Sequence, residues 1–116
     1  MKAILIDARA KEVRAVDVDK SKGIKPIYDH VKCETFTCVI LEGEETLYVD
    51  DEGLINGTDV GFVLSCYQEP LMGNGLILGT DEMGESVDTK LTVEEVRSWV
   101  IFKTRVEMAR DLGVLA

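Results

Sequence analysis

The chain has 116 residues, 46% of them hydrophobic and 30% charged, with a net charge of −9. That length holds one domain with its own core, and the composition excludes a disordered chain. No apolar run approaches the roughly 20 residues that a membrane-spanning helix needs, which leaves no expectation of a membrane partner.

Residues 2–8 open with a compact apolar run led by Ala3, Ile4, Leu5 and Ile6, which suits a buried strand. The run is too short for a signal peptide and Asp7 ends it, so a cytoplasmic protein is expected. After a polar turn, Val13, Ala15, Val16 and Val18 alternate with charges, which predicts a β-hairpin over residues 2–18. Pro26 is placed to begin a helix of about two turns near residues 24–32, with Ile27, Tyr28 and Val31 on one side. Residues 35–41 are rich in β-branched and aromatic side chains and read as a strand, as do residues 46–49. Turns follow at residues 42–45 and 50–53, and Leu54 and Ile55 restart the ladder. Asn56-Gly57 is a hairpin-turn dipeptide, but Thr58 or Asp59 also suits a helix cap. Residues 60–66 therefore read as either helix or strand. Pro70 is expected to break what precedes it. Residues 75–79 form the last strand, and residues 81–90 a polar loop.

Thr92-Val93-Glu94-Glu95 matches the capping box, in which Thr and Glu satisfy each other's backbone amides. From there Val96, Trp99, Phe102, Val106, Ala109 and Leu112 step by three and four, which predicts one long helix over residues 92–112 with Gly113 as its C-cap. Val93, Val100, Ile101 and Met108 widen the apolar face, and this surplus predicts a homo-oligomer contact. The reading is a single α+β domain over residues 1–116. It has a mostly antiparallel sheet, the short helix near 24–32 and the long C-terminal helix packed on the sheet or on a partner subunit.

The charge is uneven: +3 over residues 1–32, −14 over 33–96 and +2 over 97–116. A nucleic-acid binder shows a concentrated basic footprint, so direct nucleic-acid binding is not expected. Cys33, Cys38 and Cys66 are odd in number, contain no CxxC and read as reduced thiols. With His30 they have no metal-ligand spacing, so no metal or cofactor is expected. Gly73-Asn74-Gly75, followed by Gly79, leads into a strand, whereas phosphate-binding glycine loops precede a helix. The stretch reads as a tight turn whose Asn74 amide is free to meet a ligand. The acids at 50–52 and 81–88 lack the EF-hand order, and no Ser sits in a GxSxG turn. Arg97, Lys103 and Arg105 are the candidate anion binders, because a guanidinium fork matches phosphate oxygens. Arg97 and Arg105, eight residues apart, fall on nearly one face of a continuous helix. Trp99 or Tyr28 suits stacking on a base.

Three segments carry a family resemblance: residues 1–7, residues 47–54, and residues 70–79 with their Gly-Asn signature. Together they resemble a family of small phage, prophage and plasmid proteins known as a domain of unknown function. The resemblance covers most of residues 1–81, brings no catalytic residues, and implies a mobile-element accessory protein. The expectation is a non-enzymatic protein that sequesters a small phosphorylated ligand, such as a host nucleotide immune signal. Asn74, Arg97, Trp99 and Arg105 would form its site. The alternative is an acidic protein-interaction module or DNA mimic that inhibits a host protein.

Overall fold

The computed structural model describes residues 1–53 and 58–111. Two antiparallel sheets carry the α+β domain. The larger has the strand order β2-β1-β7-β4-β3, formed by β1 (Lys2–Asp7), β2 (Glu12–Asp17), β3 (Phe36–Leu41), β4 (Glu45–Asp50) and β7 (Gly75–Thr80). A two-residue strand, β8 (Ser86–Val87), pairs with the end of β7. The smaller sheet has the order β6-β5-β9, formed by β5 (Val60–Leu64), β6 (Tyr67–Met72) and β9 (Val100–Thr104). The predicted hairpin is present with Leu5 opposite Arg14, and β3 and β4 pair with Val39 opposite Leu47.

The larger sheet is buried on both faces, which explains why β1 and β7 are apolar without alternation. Ile4, Ile6, Leu47, Val49 and Ile77 point to a core shared with Phe62, Leu64 and Leu71 of the smaller sheet and with Val96. Ala3, Leu5, Leu76 and Leu78 point the other way, against Ile27 and Val31 of helix α1 (Lys25–Val31). Pro26 lies in the first turn of α1, where its missing N–H costs nothing. Gly75 allows the two layers to meet: a Cβ there would lie 2.8 Å from Leu47 and 2.9 Å from Phe62. Buried Glu45 fastens the segment after β8 to the sheet, its carboxylate accepting from the Thr89 hydroxyl and the Lys90 amide.

Three expectations are corrected or resolved. Residues 60–64 are strand. Pro70 does not end its element but lies inside β6, an edge strand of the small sheet where a residue without an N–H is tolerated. The long helix over 92–112 is absent. Helix α2 (Val93–Trp99) gives way to β9, and the chain re-enters helix only at α3 (Arg105–Asp111). Trp99-Val100-Ile101-Phe102 is a run suited to a pleated surface, and pairing of Phe102 with Phe62 supplies the third strand of the small sheet. The capping box at Thr92 and Glu95 is present. A second one begins α3: the Thr104 hydroxyl accepts from the Glu107 amide at 3.1 Å, and the Glu107 carboxylate accepts from the Thr104 amide at 3.0 Å. These bonds hold the Glu107 carboxyl below the usual carboxylate range. Thr104→Ala should cost about 1 kcal/mol in chemical denaturation, the usual worth of an N-cap. The expected ladder at Leu54 and Ile55, the Asn56-Gly57 turn and the Leu112–Gly113 cap lie outside the described residues.

Candidate functional site

The sequence-predicted site residues are not brought together. Asn74 ends the turn between β6 and β7, where Gly73 takes a positive φ of 86°. It is buried, its Oδ1 accepting from the Ala8 amide at 3.0 Å and its Nδ2 donating to the His30 carbonyl at 3.1 Å. One side chain thus joins the end of β1 to α1. Arg97 lies on α2 and donates to the Val13 carbonyl at 3.2 Å, beside β2. Trp99 packs half-buried against the main core. Arg105, at the start of α3, donates through Nε to the Thr58 carbonyl at 2.9 Å and through Nη2 to the Gly53 carbonyl at 3.1 Å. With β9 between them, Arg97 and Arg105 share no helical face, which corrects that part of the expectation.

Asn74 does border open space. A cavity of about 550 Å³ is lined by Tyr28, Lys32, Cys33, Asp50 and Thr58, among others. A lobe of about 160 Å³ adjoins it, lined by Asp7, Arg9, Lys32, Asp50, Thr58, Gly73 and Asn74. The two share Lys32, Asp50 and Thr58, and together form one cleft between the end of α1, the end of β4 and the turn at Asn74. Arg105 belongs to this cleft indirectly, since it grips the backbone of Thr58 from behind.

The local sequence builds each wall. Lys32 ends α1 in the left-handed conformation, φ 61°, with its amide bonded to the Tyr28 carbonyl at 2.8 Å. Tyr28 is held edge-on against Phe36, ring centres 5.1 Å apart, and Phe36 in turn against Tyr48. Arg9 is exposed and pairs with Asp59 at 3.6 Å, and such a surface pair contributes little. Burial alone would raise the Asp7 carboxyl, but the Ala10 amide and the Arg14 guanidinium outweigh it and hold it below the usual range. Burial pushes the Cys33 thiol up and Asp50 adds to the effect, so Cys33 is a thiol and not a poised thiolate. Burial likewise raises Cys38. Among the described residues no three of His, Cys, Asp or Glu converge to hold a metal ion. None of their helices is long and apolar enough to cross a membrane.

The sequence assigns Arg9 and Lys32 no role, and reads Asp50 and Thr58 only as a turn acid and a candidate helix cap. The four come from separate segments, which tertiary packing brings to one place.

A family model described as a domain of unknown function, DUF3846, matches residues 1–100. The chain belongs to this family. The DUF3846 match takes in every residue lining the cleft, as well as α2 and the first residue of β9. A relative described as uncharacterized protein y4iR, from Sinorhizobium fredii (strain NBRC 101917 / NGR234), is 26% identical over 93 residues. Those residues make up 80% of this chain and 58% of the relative, so the chain spans a little over half of that protein's length. No solved structure matches the chain.

Proposed function

We propose that this is a non-enzymatic accessory protein of a mobile element, which sequesters a small phosphorylated ligand in the cleft beside Asn74, in the cytoplasm of a bacterial host. The observation that carries the reading is the cleft's arrangement of charge. Arg9 and Lys32 line the Asn74 lobe beside Asp7 and Asp50; the two cations suit phosphate oxygens, and Asp7 is already paired with Arg14. Asp29, Glu34, Asp50 and Glu52 line the larger cavity with Tyr28. Carboxylates there suit the amino and imino donors of a purine base, and the Tyr28 ring suits its apolar edge. A host nucleotide immune signal combines both kinds of group. Arg97 and Trp99 lie elsewhere, and Arg105 serves the cleft by holding its wall.

Calorimetry against cyclic dinucleotides, cyclic trinucleotides and ADP-ribose derivatives tests this reading. At least one should bind, and Lys32→Ala should weaken it at least about tenfold, the loss of one charge-assisted contact. Absence of binding across all three classes would sink the reading.

The expected homo-oligomer rests on a smaller surface than the sequence suggested. Ile101 on β9 and Val106 on α3 are 58% and 52% exposed. We place the self-contact there. Light scattering should report a mass above 12.9 kDa that Val106→Glu returns to the monomer value.

The acidic surface supports a protein-docking module better than a DNA mimic. Duplex DNA carries one charge per ~1.7 Å, or about 28 over a length equal to this molecule's 47 Å long axis, against a net −9 here.

A further inference from the structure

We infer that the outer edge of β3 is a docking site for an extended segment of another protein, with an apolar, β-branched centre and basic residues at both ends. The edge shares Glu34, Thr35 and Glu52 with the rim of the larger cavity, but its apolar centre, residues 37–41, lies outside the cleft, so binding there is separable from the small-ligand reading. In the described residues every ladder contact of β3 goes to β4, so β3 is one rim of the large sheet. The opposite rim, β2, carries Glu12, Arg14 and Asp17, and its Arg14 is tied to Asp7 and Glu12. Charges of that kind are how strand edges resist pairing with other chains. In the small sheet, the rim strand β6 carries Glu69 and Pro70, which have the same effect. β3 has no such guard. Residues 35–41 contain no charged residue, Thr37 and Cys38 are exposed, and Ile40 is 77% exposed.

The flanks decide the occupant. Glu34, Asp51 and Glu52 gather at the start of β3, where the Asp51 amide bonds to the Thr35 carbonyl and the Glu52 carboxylate accepts from the Thr35 hydroxyl. Glu42 and Glu44 stand exposed at its other end. A second copy of this chain would set acid against acid in either orientation. Antiparallel pairing brings Glu42 and Glu44 to the partner's Glu34 end, and parallel pairing aligns each acid with itself. Like charges placed opposite each other are destabilising. A strand with Lys or Arg about eight positions apart, the spacing of Glu34 and Glu42, meets opposite charge at both ends. Strand addition would supply the affinity through main-chain bonds, and the basic flanks would supply the choice of partner.

The test uses two fluorescein-labelled peptides with one centre, Val-Thr-Val-Ile-Val-Thr. One is flanked by Lys-Arg at each end and the other by Glu-Glu. The basic-flanked probe should bind the full chain, with amide shifts concentrated on residues 35–41. It should bind at least about tenfold tighter than the acidic one at low salt, a gap that narrows as salt rises. Ile40→Lys, at an exposed position that leaves the fold intact, should weaken the basic probe about tenfold by restoring an edge guard. Glu42→Lys with Glu44→Lys should shift the preference toward the acidic probe. Equal binding of the two probes, or shifts mapping away from β3, would overturn the inference. So would a dimer that Ile40→Lys dissolves, which would assign the edge to a second copy.

Discussion

Asn74→Ala is expected to destabilise the fold by about 3 kcal/mol and to lower Tm by about 10 °C. The Asn74 side chain satisfies two backbone groups from distant segments, the Ala8 amide and the His30 carbonyl, and it is itself buried. Truncation leaves both without their partner, and each unsatisfied buried group costs about 1–3 kcal/mol. The damage should be local as well as global, because the same two bonds hold the end of α1 over the end of β1. Lys32 and Tyr28 are positioned by that end of α1. Asn74→Asp separates the two bonds, since its carboxylate still accepts from Ala8 but has no proton for His30. Thermal denaturation should place both variants below wild type, Asp because its buried carboxylate faces the His30 carbonyl oxygen. Amide exchange should show α1 opening first.

Gly61→Ala is expected to cost at least as much, about 3 kcal/mol or more. A Cβ at Gly61 would lie 2.1 Å from the Leu71 carbonyl oxygen and 2.8 Å from the Met72 Cα. Both are backbone atoms of β6, so no side chain can swing aside. The two strands must separate at the point where Gly61 pairs with Met72. Neighbouring Phe62 is fully buried between the sheets, so separation there would loosen the main core. Guanidinium denaturation should show a lower midpoint. Because Gly73, next to Met72, leads into Asn74, the proposed ligand binding should weaken along with stability.

The sequence was legible where local chemistry and packing agree. The hairpin over 2–18, the Pro26 helix, and the strands at 35–41, 46–49 and 75–79 each carry a pattern that one layer of packing rewards. The Thr92–Glu95 box marks its helix start because both hydrogen bonds lie within four residues. The long C-terminal helix failed for an identifiable reason. A three-four spacing of apolar residues persists across Trp99–Phe102, but those residues are also strand formers, and the small sheet lacked a third strand. The second capping box at Thr104 and Glu107 was a readable sign that a new helix begins there. Pro70 misled because its effect depends on whether its strand lies at an edge, which is a property of the whole sheet. The site was the least legible part. Arg97 and Arg105 resembled phosphate binders by type, yet the fold directs their guanidiniums to the Val13, Gly53 and Thr58 carbonyls. Arg9 and Lys32 gain their place only from tertiary contacts. Asn74 was singled out by its glycine neighbours, and its site does border the cleft, though its amide bonds backbone groups.

Mass spectrometry of small molecules released by heat from the purified protein, compared between wild type and Lys32→Glu, tests the proposed ligand capture most directly. A phosphorylated compound close to one per chain in the wild type, and absent from a folded Lys32→Glu variant, is the predicted result. A wild-type protein that releases nothing, or a Lys32→Glu variant that retains the same compound in full, would contradict it.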